Sequence, residues 1–202
     1  YEMAKAASVK VGMGGNIGIP ALSLLKEDCD LYVLELSSFQ LETTYSLKAA
    51  AATVLNVTED HMDRYVDLED YRQAKLRIYH NAQTAVVNNE DKLTFGEGEN
   101  QAKQTVCFAE HNADYRLKIE NGKQYLMAKD EVILPCDEAT LVGRHNYMNI
   151  LASTALAQAI GIDLNAIRTA LRQFKGLDHR FQLAHQAHGV RWVNDSKATN
   201  VG

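Results

Sequence analysis

Short, continuously apolar runs that each close on polar or acidic side chains constrain this 202-residue chain more than any other feature. Leu31-Tyr32-Val33-Leu34 runs into Glu35, Ala50 to Val57 runs into Thr58-Glu59-Asp60-His61-Met62-Asp63, and Thr84-Ala85-Val86-Val87 runs into Asn88. Strands apolar on both faces must be covered on both faces, which is the situation of parallel sheets in α/β folds. Open α/β sheets bind ligands beyond the carboxyl ends of their strands, so the charge of this chain collects where chemistry is expected. If the strands ending at Leu34 and Val57 are parallel neighbours, Glu35 and the Asp60-His61 pair emerge at one edge of one sheet. Carboxylate oxygens with a single imidazole suit magnesium or manganese better than a soft metal. The competing reading makes residues 58–63 a solvated turn and Glu35 a strand-end charge. A charge that closes an apolar strand nevertheless needs a partner.

The segments between these runs fit the same architecture. Val9 to Gly12 reads as a strand that opens into Gly12-Met13-Gly14-Gly15-Asn16-Ile17-Gly18, and Pro20 suits the first turn of a helix over Ala21 to Lys26. Glycines ahead of a helix let backbone amides approach a phosphate, although such turns are common without ligands. Asp67 caps a helix reaching about Ala82, on which Leu68, Tyr71, Lys75, Ile78 and Tyr79 share a stripe. Lys75 therefore sits among apolar side chains. Either its stem lies along that surface with the ammonium in water, or it is desolvated. A desolvated lysine has a lowered pKa, and its neutral amine can take up carbon dioxide as a carbamate, an anion able to ligate a metal.

From Gln104 to Pro135 the runs shorten, and Asn121-Gly122 signals a hairpin, so a small antiparallel sheet is predicted beside the parallel one. Gly143 opens a helix ending at Gly161, and Asp163 caps a second through Phe174; together they should cover the sheet. Gly176 marks a boundary. Residues 1–176 form one domain, and 177–202 begin a new unit with strands at Phe181 to Ala184 and Val190 to Val193. The expected class is α/β, a parallel central sheet flanked by helices with an appended antiparallel sheet.

Composition narrows the function classes. A net charge of −5 gives no electrostatic reason to expect nucleic acid, and there is no basic amphipathic stretch for a membrane surface. Cys29, Cys107 and Cys136 lack metal or redox spacing and read as reduced thiols of a cytoplasmic protein. No apolar run approaches a membrane span. Tyr1 to Ala7 reads as the closing turns of a helix, and Val201-Gly202 follows a polar cluster that should introduce more structure, so both ends read as cut.

Several stretches stand together in the order of one family: Gly14-Gly15-Asn16-Ile17-Gly18, Leu34-Glu35-Leu36-Ser37-Ser38-Phe39-Gln40, Asn56 to Tyr65, Tyr71-Arg72-Gln73-Ala74-Lys75, Gly143-Arg144-His145-Asn146-Tyr147-Met148-Asn149, His179-Arg180-Phe181 and Asn194-Asp195-Ser196-Lys197-Ala198-Thr199. Over nearly its whole length the chain resembles the ATP-dependent muramyl ligases of peptidoglycan synthesis, in particular the branch that adds D-glutamate. The resemblance implies that ATP phosphorylates the carboxylate of UDP-N-acetylmuramoyl-L-alanine and that the amine of D-glutamate attacks the acyl phosphate. It implies Glu35, His61 and a carbamate of Lys75 around magnesium, and Asn16, Ser37 and Gln40 as donors to the nucleotide sugar. It further implies Asn149 at adenine, Arg180, Asp195 and Lys197 at the ribose and phosphates of ATP, and Thr199 near D-glutamate.

The chain departs from the family in one respect: it has no glycine-rich loop ending in lysine and a hydroxyl residue. The resemblance places that loop just before Tyr1, along with a uridine-binding domain, and most of a third domain after Gly202. It thus implies a monomeric full-length enzyme and a fragment that is inert alone, with an exposed strand edge that invites self-association. Two other readings stay open, a non-catalytic nucleotide-sugar or magnesium-binding module, and a ligase of the same superfamily with another acceptor, such as a folylpolyglutamate synthetase.

Overall fold

The structure is a computed structural model that describes residues 1–178, 180 and 182–197. β1 (Val11–Gly15) and β2 (Leu31–Glu35) pair in parallel, with Val11 opposite Leu31 and Gly15 opposite Glu35. A second sheet runs in the order β3 (Ala51–Val54), β4 (Thr84–Asn88), β5 (Gln104–Phe108), β6 (Tyr115–Glu120), β7 (Lys123–Ala128) and β8 (Glu131–Pro135). β3, β4 and β5 are parallel, and β6 to β8 are antiparallel. The class is the mixed α/β architecture expected.

Two details of the sheets differ from expectation. β2 and β3 are not neighbours: β2 pairs with β1, β3 pairs with β4, and neither has a partner on its other edge among the described residues. β5 belongs to the parallel sheet rather than to the antiparallel extension, because the 89–103 connection is long enough to cross over and return in parallel. The hairpin at Asn121-Gly122 forms as predicted. Both residues have positive φ, 52° and 75°, as a two-residue turn matched to strand twist requires.

Helices cover the larger sheet on both faces. α5 (Arg144–Ala159) lays the buried Ile150, Leu151, Ala152 and Ala155 against β3 to β7. α6 (Leu164–Gln173), capped by Asp163 as predicted, leans instead on α1 (Glu2–Ala6) and β8, so the pair of helices covers less of the sheet than expected. On the other face lies α4 (Leu68–Leu76), whose Asp67 cap accepts a hydrogen bond from the Asp70 amide at 2.8 Å. α4 tightens into a 3-10 turn over Arg77–Tyr79 instead of continuing to Ala82. There the fully buried Tyr79 hydroxyl accepts a hydrogen bond from the Val54 amide at 2.9 Å, and burial pushes its phenol far above the usual range. β9 (Gln182–Ala187) and β10 (Val190–Asn194) make a separate antiparallel hairpin.

Arg72 fastens α4 to the connection before β5. Its side chain is 9% exposed, and it donates to the Leu93 and Phe95 carbonyls and to the carboxylates of Glu69 and Glu97. Arg72→Met keeps the stem but leaves those acceptors unmatched, with an expected loss of about 3 kcal/mol in urea denaturation; a loss below about 0.5 kcal/mol would contradict the role. The Arg72 guanidinium also holds the Glu97 carboxyl below its usual range. That contribution is present above the usual carboxylate pKa and is lost as pH falls through the lowered one, so Arg72→Met should flatten the acid limb of stability against pH.

Candidate functional site

The end of β1 is set by close backbone approach. A Cβ on Gly14 would lie 2.1 Å from the Ile19 carbonyl oxygen, and one on Gly15 would lie 2.2 Å from that of Glu35. In their absence the Gly15 amide donates to the Ile19 carbonyl at 2.8 Å and the Asn16 amide to the Glu35 carbonyl at 2.7 Å. Asn16 thus lands beside Glu35, its Nδ2 donating to Oε1 at 3.4 Å. Of the glycines predicted as a possible phosphate turn, Gly12, Gly14 and Gly15 lie within β1, where Gly14 and Gly15 permit close backbone approach, and Gly18 follows the strand. The helix after them, α2 (Ala21–Leu24), is a single turn rather than the predicted 21–26, too short to present a developed helix N-terminus to an anion.

After β2 the chain enters α3 (Ser38–Glu42) through a capping box. Ser37 Oγ accepts from the Gln40 amide at 3.2 Å, and Gln40 Oε1 accepts from the Ser37 amide at 2.9 Å. Gln40 is therefore engaged with the helix start and does not line the cavity, whereas Ser37 does.

His61 arrives from β3 by a loop tied to the end of β4. Asn88 Nδ2 donates to the Leu55 carbonyl at 3.1 Å, and the Val57 amide donates to Asp91 Oδ2 at 2.9 Å. His61 adopts φ 56°, the left-handed region that non-glycine residues seldom occupy. Its ring packs edge-on against Phe39 at 5.1 Å and Tyr71 at 6.1 Å between centroids. Lys75 lies on α4, half-buried as its stripe position predicts, with Nζ 4.7 Å from the centre of the Tyr71 ring.

These elements enclose a cavity of ≈ 430 Å³ whose lining includes Asn16, Glu35, Ser37, His61, Tyr71 and Lys75. Glu35 and His61 thus converge although their strands are not paired. Asn149, Arg180, Asp195 and Lys197 are exposed and are not part of this lining; Thr199 lies outside the described residues. As a cation site the cavity is incomplete. Among the described residues no three of His, Cys, Asp and Glu are placed to hold a metal. One carboxylate and one imidazole suit a magnesium ion that takes its remaining oxygens from water and substrate phosphates, rather than one caged by protein. Lys75 as an amine adds no oxygen; as a carbamate it would.

Two features escaped sequence reasoning. Phe39, Tyr65 and Tyr71 form an aromatic cluster around His61, and such scattered rings read as ordinary core. The second is an apolar groove of ≈ 580 Å³ between the edges of β2 and β3 that no described strand pairs with, lined by Leu31 to Leu34 and Ala49 to Thr53, with Leu156 of α5 and Ile160 at its C-cap. The run Ala49-Ala50-Ala51-Ala52, whose side chains are too small to fill a core, is the signal that was available for it.

Comparison with known proteins bears on what the cavity is for. The family model described as Mur ligase middle domain matches residues 3–157. The UDP-N-acetylmuramoylalanine–D-glutamate ligase of Haemophilus influenzae (strain PittEE) is 89% identical over all 202 residues, which are 46% of that protein. The ligase of the same name from Pasteurella multocida (strain Pm70) is 74% identical over 201 residues, again 46% of its length. The chain therefore spans about half the length of the curated relatives it matches. Among solved structures, MurF from Acinetobacter baumannii superimposes with a TM-score of 0.71 at 21% identity, over 96% of this chain and 47% of that one. A folylpolyglutamate synthetase mutant from L. casei gives 0.65 at 12%, over 92% of this chain and 61% of that one. At these identities the likeness is one of fold.

The glycine account is testable by contrast. Gly14→Ala meets backbone, so it should cost about 3 kcal/mol and displace Asn16 from Glu35. Gly18→Ala, at φ 63° with nothing within 4 Å, should cost only about 1 kcal/mol. Equal losses in thermal denaturation would contradict the close-approach role of Gly14.

Proposed function

This chain belongs to the Mur ligase middle-domain family, matched over residues 3–157, and from that premise we propose that it forms the ATP-binding part of a ligase joining D-glutamate to UDP-N-acetylmuramoyl-L-alanine through an acyl phosphate. The observation that carries the reading is the convergence of Glu35, His61 and Lys75 on one cavity with Asn16 and Ser37 at its rim. Identity of 89% to a D-glutamate ligase supports the choice of acceptor over a folylpolyglutamate synthetase, a choice that fold likeness alone leaves open. The reaction gathers several anions, so catalysis rests on positioning and charge neutralisation.

In this reading Glu35 and His61 would hold a magnesium ion, whose chemistry there would be neutralisation of phosphate and carboxylate charge. Lys75, if carbamylated, would add the anionic oxygens that the cavity otherwise lacks. Asn16, Ser37 and Gln40 donate to the nucleotide sugar, Gln40 through Nε2 while its Oε1 caps α3. Asn149, Arg180, Asp195 and Lys197 hold ATP, and Thr199 faces D-glutamate. Residues 1–176 are the ATP-binding domain, and the hairpin after Gly176 begins a third domain. A strand carrying the glycine-rich phosphate loop fits the groove between β2 and β3. Both strands end at the cavity, so a strand between them would deliver its loop there. The whole enzyme works as a cytoplasmic monomer in cell-wall synthesis and so in cell division, with reduced cysteines. No helix among the described residues is long and apolar enough to cross a membrane.

The test is phosphate release dependent on both ATP and D-glutamate. The full-length protein should turn over, and residues 1–202 alone should not; turnover by the 202-residue chain would overturn the assignment of essential parts elsewhere. In the full-length protein Lys75→Ala should lower kcat at least about 100-fold, with partial recovery when a small anion such as chloride fills the vacated position. Wild-type turnover by Lys75→Ala would return the lysine to a solvated stripe position.

A further inference from the structure

His61 carries its ring on a left-handed residue, and among the described residues that ring makes only a long polar contact, Nε2 lying 3.7 Å from Asp60 Oδ2. Packing therefore sets its direction. Phe39 is the pivot of that packing, edge-on to His61 at 5.1 Å and stacked on Tyr65 at 6.0 Å with 5° between the rings. Phe39 belongs to α3, and Tyr65 to the turn that His61 opens, in which the His61 carbonyl accepts from the Arg64 and Tyr65 amides at 2.9 and 3.2 Å. A carboxylate adds a polar link between the two pieces. Glu42 at the end of α3 accepts from the Tyr65 hydroxyl at 2.6 Å through Oε1 and from Arg64 Nη2 at 2.7 Å through Oε2. Arg64 meanwhile lies over the Phe39 ring at 5.4 Å. A five-residue helix is too short to stand alone, so the side chains that hold α3 decide where it sits.

We propose that Glu42 is a positioning residue for the reaction. By clasping both Arg64 and Tyr65 it locks α3 to the 61–65 turn, closes Phe39 onto His61, and fixes the imidazole relative to Glu35 and Ser37. Glu42 does not line the cavity of those residues; it faces a separate recess beside Arg64, Tyr65 and Arg77. It touches neither reacting atoms nor the nucleotide sugar. A carboxylate suits the task because its two oxygens take one hydroxyl and one guanidinium together, and hydrogen bonds to charged groups are stronger than neutral ones. The clasp also couples the two halves of the site, since α3 carries Ser37 at its cap while the turn carries His61. The proposal rests on the ligase reading, so its test includes a readout that needs no turnover.

The experiment compares Glu42→Ala, Glu42→Gln and Tyr65→Phe in the full-length protein. Histidine labelled with 13C at Cε1 gives the ring signals, and the His61 signal is identified by its absence in His61→Gln. Glu42→Ala should move the His61 signal, because the ring currents of Phe39 and Tyr71 change, and should lower kcat about tenfold. KM for ATP and for the nucleotide sugar should stay within about twofold, since misplacement by the clasp acts on chemistry more than on binding. Glu42→Gln keeps an acceptor for Tyr65 and should recover part of kcat. An unmoved His61 signal in Glu42→Ala overturns the proposal, whether or not activity falls, and so does an unchanged kcat in an active enzyme. Should Glu42→Ala fail to fold, Tyr65→Phe, which removes the hydroxyl that meets Glu42 and Ser38 of α3, decides by the same signal: movement supports the clasp and constancy refutes it. A moved signal in a protein with no ligase activity even as wild type would uphold the clasp and refute the ligase reading.

Discussion

The carboxyl ends of β2 and β3 meet at one cavity although no ladder joins the two strands. Everything the site does depends on that convergence, and the chain secures it indirectly. Arg77 Nε donates to the Leu41 carbonyl at 2.9 Å, tying the end of α3 to the turn after α4. Arg64 and Tyr65 grip Glu42, and α5 underlies the groove between the strands. Each link is a side-chain contact of modest energy, so the geometry of the cavity rests on several weak links rather than on one strong one.

The groove explains why the links are needed. A two-stranded parallel sheet is marginal by itself, and among the described residues no strand pairs with the outer edge of β2 or of β3, which flank a groove lined largely by leucine, valine and alanine. Such edges favour another strand. A parallel strand there would complete a continuous sheet and carry its following loop to the same end as Glu35 and His61.

Much of this was legible in the sequence because local physics settled it. Asp67 and Asp163 cap helices where their side chains were expected to, Asn121-Gly122 turns a hairpin, and the apolar runs before Glu35 and Asn88 are strands. The stripe that placed Lys75 inward also held. What failed depended on partners distant in sequence. β5 looks like its antiparallel successors until the crossover before it is counted. The glycines of β1 read as a ligand turn, whereas the atoms that require them belong to Ile19 and Glu35. The aromatic cluster around His61 draws on α3, the 61–65 turn and α4, and no periodicity within one element could reveal it.

The central claim is that Glu35 and His61 act on one cation, and a double-mutant cycle in the full-length protein tests it most directly. Magnesium activation of kcat would be measured for Glu35→Gln, His61→Gln and the pair. Shared coordination predicts strong non-additivity, with the double variant scarcely worse than the poorer single one. Losses that multiply independently would mean that the two side chains serve different ligands, and the account of the site would be wrong.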